Sequence, residues 1–90
     1  MDKKILIIED DPEIQNFIKL YLTKDGYQVI EVERGDSALE VFKRENPDLV
    51  ILDILLPGID GIEVCREIRK ISIVPIIFLS NKIDETDKII

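Results

Sequence analysis

The chain has no histidine and one cysteine, Cys65. Without imidazole, and with a single thiol, a zinc site is disfavoured. One cysteine cannot close an internal disulfide, which fits a reducing compartment. Within an apolar-periodic helix, Cys65 reads as a small core residue rather than a nucleophile. Cationic side chains are also in short supply: 12 Lys and Arg stand against 19 Asp and Glu, a net charge of −7. That balance disfavours binding of nucleic acid or an anionic membrane by the chain itself. Long hydrophobic runs are missing too. No stretch approaches the roughly 18 to 20 apolar residues of a membrane span, and the start of the chain lacks a signal peptide's apolar core, so the expected location is cytoplasmic.

What is present suits one small domain. Ninety residues with 46% apolar content can enclose a single core, although a chain of this size buries only about 60 to 65% of its unfolded surface and is marginally stable. There is no internal repeat, low-complexity tract or linker, so one domain over residues 1–90 is expected. Strand-like and helix-like patterns alternate along it: strands at 4–9, 28–33, 48–53 and 75–80, helices at 12–25, 37–45 and 61–70. This βαβ series predicts a parallel sheet with helices on both faces. In the first helix, Ile14, Phe17, Ile18, Tyr21 and Leu22 recur with helical spacing, Asp11 is a plausible N-cap and Pro12 suits the first turn. Asp36, before Ser37-Ala38-Leu39, reads as a second helix cap. The pair Asn46-Pro47 ends that helix.

Asp53 is the most informative residue. It ends an unbroken apolar run, Leu49-Val50-Ile51-Leu52, of the kind that forms a strand covered on both faces. A carboxylate at the carboxyl end of such a strand stands where open α/β sheets bind ligands. A second acidic group, Glu9-Asp10-Asp11, ends the other apolar run, Ile5-Leu6-Ile7-Ile8, and reaches the same edge. Crowded carboxylates raise one another's pKa unless a cation neutralises them. All-oxygen ligation suits a hard ion, magnesium first.

Three segments carry a family resemblance: Ile5 to Asp11, Asp48 to Gly61 with its Asp-x-x-x-Pro-Gly-x-Asp-Gly loop, and Val74 to Ser80. In this order and spacing the chain resembles the receiver domain of bacterial two-component response regulators, most closely the subfamily with winged-helix DNA-binding outputs. The resemblance implies a flavodoxin-like, doubly wound parallel sheet of order 2-1-3-4. It implies Asp53 as phosphoacceptor, Asp10 as a direct Mg2+ ligand, Glu9 as a ligand through water, and the backbone carbonyl of Leu55 as another oxygen. Ser80 matches the hydroxyl residue that hydrogen-bonds the phosphoryl group. Asn81 departs from the small residue usual there, which bears on the lifetime of the phosphate. Asp11 keeps its bland role as N-cap, and Pro57-Gly58 and Asp60-Gly61 read as loop scaffold.

The same resemblance makes a sensor histidine kinase the expected phosphoryl donor, because a chain without histidine cannot supply its own phosphohistidine. It makes a DNA-binding output domain the expected partner in a longer protein, and slow autodephosphorylation the most catalysis to expect. Family members have a fifth strand and helix bearing a lysine and a switch aromatic. Here residues 84–90 read as the start of a helix, so the receiver is expected to be incomplete at its C-terminus and prone to self-association through its fourth strand. Lys82 reads as solvated rather than as the family's lysine.

Other classes fit less well. A magnesium-dependent phosphohydrolase with an aspartate nucleophile would carry a second acid where Leu55 stands. A nucleotide or flavin module would want a glycine- or hydroxyl-rich first loop, and here that loop is Glu9-Asp10-Asp11-Pro12-Glu13. A protein-interaction module that has lost phosphotransfer is the remaining alternative.

Overall fold

The computed structural model describes residues 3–79. Strands and helices alternate: β1 (Lys4–Ile8), α1 (Pro12–Lys24), β2 (Gln28–Val32), α2 (Gly35–Glu45), β3 (Leu49–Asp53), α3 (Gly61–Arg69) and β4 (Ile76–Leu79). All strand pairings are parallel, in the order β2-β1-β3-β4. This is the doubly wound arrangement anticipated from the alternating pattern. Ser80, Asn81, Lys82 and the helix expected over 84–90 lie outside the described residues.

The two central strands are apolar on both faces because both faces are covered. Leu6, Ile8, Val50 and Leu52 join Ala38 and Phe42 of α2 and Val64 and Ile68 of α3 in one core. Ile5, Ile7 and Ile51 point the other way, toward Ile18 and Leu22 of α1. Period-two alternation thus separates two cores rather than core from solvent. Each layer holds the carboxyl ends of β1 and β3 in fixed register, with Ile8 opposite Leu52.

Two sequence expectations are corrected. The exposed and buried sides of α1 are rotated from the expected stripe: Phe17 and Tyr21 are 62% and 57% exposed, while Gln15 is buried. The two rings pack edge to face with centroids 5.0 Å apart, and the inward side is Gln15, Ile18 and Leu22. The second correction concerns α2, which starts at Gly35 with Arg34 in the N-cap position and no side-chain cap. Asp36 lies inside the first turn, where its carboxylate takes two hydrogen bonds at 2.9 Å from Arg34. The helix begins early because the Gly35 amide donates to the Pro57 carbonyl, a contact between loops that local sequence does not encode.

The other expected punctuation holds. Asp11 caps α1, accepting from the Glu13 amide at 2.9 Å. Asn46 closes α2 in the left-handed conformation, with φ 48°, and Cys65 is partly buried against the core. Among the described residues no helix is long and apolar enough to cross a membrane.

Candidate functional site

The first apolar run ends at Ile8, and the next residue, Glu9, remains fully buried. Its amide extends the ladder to the Val32 carbonyl of β2 at 3.0 Å. Its carboxylate folds back to accept the Asp11 amide at 2.9 Å. That bond fixes the acidic loop from within, and Asp11 in turn caps α1. Asp10, between them, is exposed at the mouth of the crevice.

The second run delivers Asp53, the last residue of β3 and only 1% exposed. Glu9, Asp10 and Asp53 each present a carboxylate oxygen within 4.8 Å of the others. Burial raises the Asp53 pKa above its ordinary value, hydrogen bonds from the backbone amides of Leu55 and Ile54 act in the opposite direction, and the nearby Asp10 charge raises it again. Three clustered carboxylates, two of them withdrawn from water, match a hard divalent cation in donor chemistry. No softer donor is in the cluster.

The loop after β3 is shaped as tightly as the strands. Asp60 caps α3 by accepting the Glu63 amide at 3.0 Å, so it does more than form a turn. Gly61 donates to the Ile54 carbonyl at 2.7 Å. A β-carbon at Gly61 would stand 2.1 Å from the Asp53 carbonyl oxygen, so only glycine lets α3 start against the strand end that carries Asp53. Leu55, between these anchors, has a half-exposed side chain.

The structure therefore brings together Glu9, Asp10 and Asp53, with Leu55 in the adjoining loop. Ser80 lies outside the described residues. Sequence reasoning missed Gln15, whose side-chain amide donates to the Glu9 carbonyl at 2.8 Å and to the Val32 carbonyl at 3.1 Å. A signal was available, since Gln15 lies three and seven residues before the inward-facing Ile18 and Leu22, on the same helical stripe.

Comparison with known proteins agrees with this geometry. Residues 5–90 match the family model described as the response regulator receiver domain. The chain is 42% identical over 86 residues to the transcriptional regulatory protein AfsQ1 of Streptomyces coelicolor, covering 96% of this chain and 38% of AfsQ1. It thus spans little more than a third of that relative's length. The BeF3-activated N-terminal receiver domain of Klebsiella pneumoniae RstA superimposes with a TM-score of 0.86 at 45% identity, covering 96% of this chain and 74% of that one. The Mn(2+)-bound form of the response regulator Rcp1 superimposes with a TM-score of 0.80 at 28% identity, over 97% of this chain and 71% of its own. With the parallel 2-1-3-4 sheet and the acidic crevice at its carboxyl edge, these matches settle the family: the chain belongs to the response regulator receiver domains.

Proposed function

We propose that this domain is the phosphoacceptor of a two-component pathway, taking a phosphoryl group onto Asp53. The observation that carries the reading is the placement of Asp53, buried at the end of β3, with Glu9 and Asp10 within 4.8 Å. A carboxylate oxygen of Asp53 attacks phosphorus, the new bond makes an acyl phosphate, and the bond from phosphorus to the donor's imidazole nitrogen breaks. The donor is a phosphohistidine on a sensor histidine kinase, because this chain has no histidine of its own.

Asp10 and Asp53 would hold Mg2+ directly, the Leu55 carbonyl would add an oxygen, and Glu9 would contribute through water. When bound, the ion supplies positive charge that offsets carboxylate repulsion and the charge developing on the phosphoryl oxygens. The protein's own part is positioning. The β1–β3 register aligns the carboxylates, the amides of Leu55 and Ile54 orient Asp53, and burial limits water at the strand end. Ser80, by its place in the family pattern, hydrogen-bonds the transferred group. The Mn(2+)-bound Rcp1 structure and the BeF3-activated RstA domain support a cation and a phosphoryl-like group in this fold.

On this reading the domain turns over no external substrate beyond slow loss of its own phosphate. It works in the cytoplasm and acts through an output domain that controls transcription, as the name of the transcriptional regulatory protein AfsQ1 implies for that relative. The test is intact mass after incubation with acetyl phosphate, for wild type and Asp53→Asn, with Mg2+ and with EDTA. A single phosphoryl gain confined to wild type with Mg2+ is expected. Gain by Asp53→Asn, or no gain by wild type, overturns the proposal.

A further inference from the structure

The burial pattern of α1 is inverted at one point: the helix leaves Phe17, Leu20 and Tyr21 more than half exposed and buries Gln15 to 6%. Burying an amide is unfavourable unless its donors are satisfied. Here both N–H bonds of one nitrogen are used, on the carbonyls of Glu9 and Val32 at 2.8 and 3.1 Å. The Val32 carbonyl also accepts the Glu9 amide at 3.0 Å. Gln15 therefore joins the carboxyl ends of β1 and β2 to the first turn of α1, directly beneath the acidic loop.

The carbonyl it grips belongs to the peptide plane linking Glu9 to Asp10. A peptide is planar, so fixing its oxygen fixes the direction in which the chain leaves Glu9 and the position of the Asp10 α-carbon. The Glu9 carboxylate is separately tied to the Asp11 amide. Gln15 thus governs the relative placement of two of the three clustered carboxylates without touching either one. Asp10 itself is exposed on its solvent side.

We propose that Gln15 is a positioning residue for the divalent cation, setting its affinity through the Glu9–Asp10 peptide. This rests on the reading of Glu9, Asp10 and Asp53 as a cation site. Outer partners that orient metal ligands change affinity by about 10- to 100-fold when removed.

The experiment compares wild type with Gln15→Met, which keeps the length and loses both donors, and Gln15→Asn, which keeps the amide but falls short of the carbonyls. Mg2+ affinity is measured by calorimetric titration at a temperature where each protein is folded, and phosphorylation by acetyl phosphate is followed across Mg2+ concentrations. The expected result is a Mg2+ dissociation constant raised about tenfold, with the phosphorylation rate at saturating Mg2+ within about twofold of wild type. A purely structural role would lower the melting temperature and leave the dissociation constant of the folded variant unchanged, which overturns the proposal.

If neither variant folds, the wild type decides by NMR. The Gln15 side-chain amide protons should shift with the same half-saturation as the backbone amides of Glu9, Asp10 and Asp11 during Mg2+ titration. No shift at Gln15 while those backbone amides saturate overturns the inference. Failure of wild type to bind Mg2+ by any of these measures refutes the cation site itself, a separate outcome from a variant that binds as tightly as wild type.

Discussion

Asp53→Asn should make the metal-free protein more stable, not less. The Asp53 carboxylate is 1% exposed, and its pKa is raised first by burial and then by the Asp10 charge. At 4.8 Å, the outer limit of their separation, two unit charges repel by about 3.5 kcal/mol at an effective dielectric of about 20 and about 0.9 kcal/mol in bulk water. Asp10 is exposed, so the pair falls between these limits, at about 1 to 3 kcal/mol, and desolvation adds with the same sign. Asparagine removes the charge and keeps an oxygen for the amides of Leu55 and Ile54. For a domain of this size about 1 kcal/mol moves the melting temperature by about 4 to 8 °C, so the substitution should raise it by about 4 to 24 °C in EDTA.

Magnesium should offset this difference by stabilising wild type by about 2.7 kcal/mol at a hundredfold excess over its dissociation constant, while Asp53→Asn gains far less. Because the folded-state pKa of Asp53 lies above the unfolded value, the folded chain keeps that proton longer. Wild-type stability relative to Asp53→Asn is therefore greatest in acid. It falls as pH rises from the unfolded value, near 3.8, through the raised folded value, and is flat above it. The assay is thermal unfolding followed by circular dichroism from pH 3 to 8, with EDTA or Mg2+. A lower melting temperature for Asp53→Asn in EDTA at neutral pH, or equal stabilisation of both proteins by Mg2+, would refute the reasoning.

Gly35→Ala places a β-carbon 1.8 Å from the Ile59 carbonyl oxygen; backbone must move, so a loss of about 1 to 3 kcal/mol is expected from overpacking, and an unchanged urea midpoint would count against the contact. Asp60→Ala removes the cap that accepts the Glu63 amide and should cost about 1 kcal/mol, whereas Asp60→Asn, which can still accept that bond, should lose less than half as much in the same titration. Ile68→Ala, at a fully buried position, should cost about 2 to 5 kcal/mol, and Phe17→Ser, at a 62% exposed one, should stay within about 0.5 kcal/mol. The reverse ranking of this last pair by chemical denaturation would sink the assignment of the inward side of α1.

The strands and the acidic crevice were legible because their cause is local and strong. A run such as Ile5 to Ile8 is uniformly apolar only if both faces are covered, and the residue that follows such a run emerges at the sheet edge. Glu9, Asp10 and Asp53 could therefore be brought together without knowing any contact. The phase of α1 was harder to read. Its apolar residues fill two overlapping helical stripes, and hydropathy favours the one with Phe17 and Tyr21. The buried stripe contains Gln15, which is acceptable inside only because two carbonyls from different strand ends meet its amide. Asp36 failed as a cap for a related reason. The start of α2 is set by Gly35 packing against Pro57 and Ile59 of another loop, and the carboxylate is then free to pair with Arg34 rather than with the helix end.

The clustered carboxylates stand at the ends of the two covered central strands, and the two facts are linked. Carboxylates that repel would spread apart on a mobile loop, where the cation-binding arrangement would have to be rebuilt, at an entropic cost, each time an ion bound. At the ends of β1 and β3 the backbone that carries them cannot spread, since Ile8 and Leu52 are in register and fully buried beneath it. The Glu9 amide is held by Val32, and Gly61 is held by Ile54. The core thus keeps the negative charges close in the absence of a cation, and the repulsion retained there adds to the affinity for any cation that relieves it. A substitution that loosens this support should therefore weaken cation binding even where it leaves every carboxylate in place, whereas neutralising Asp53 should stabilise the fold and weaken binding together.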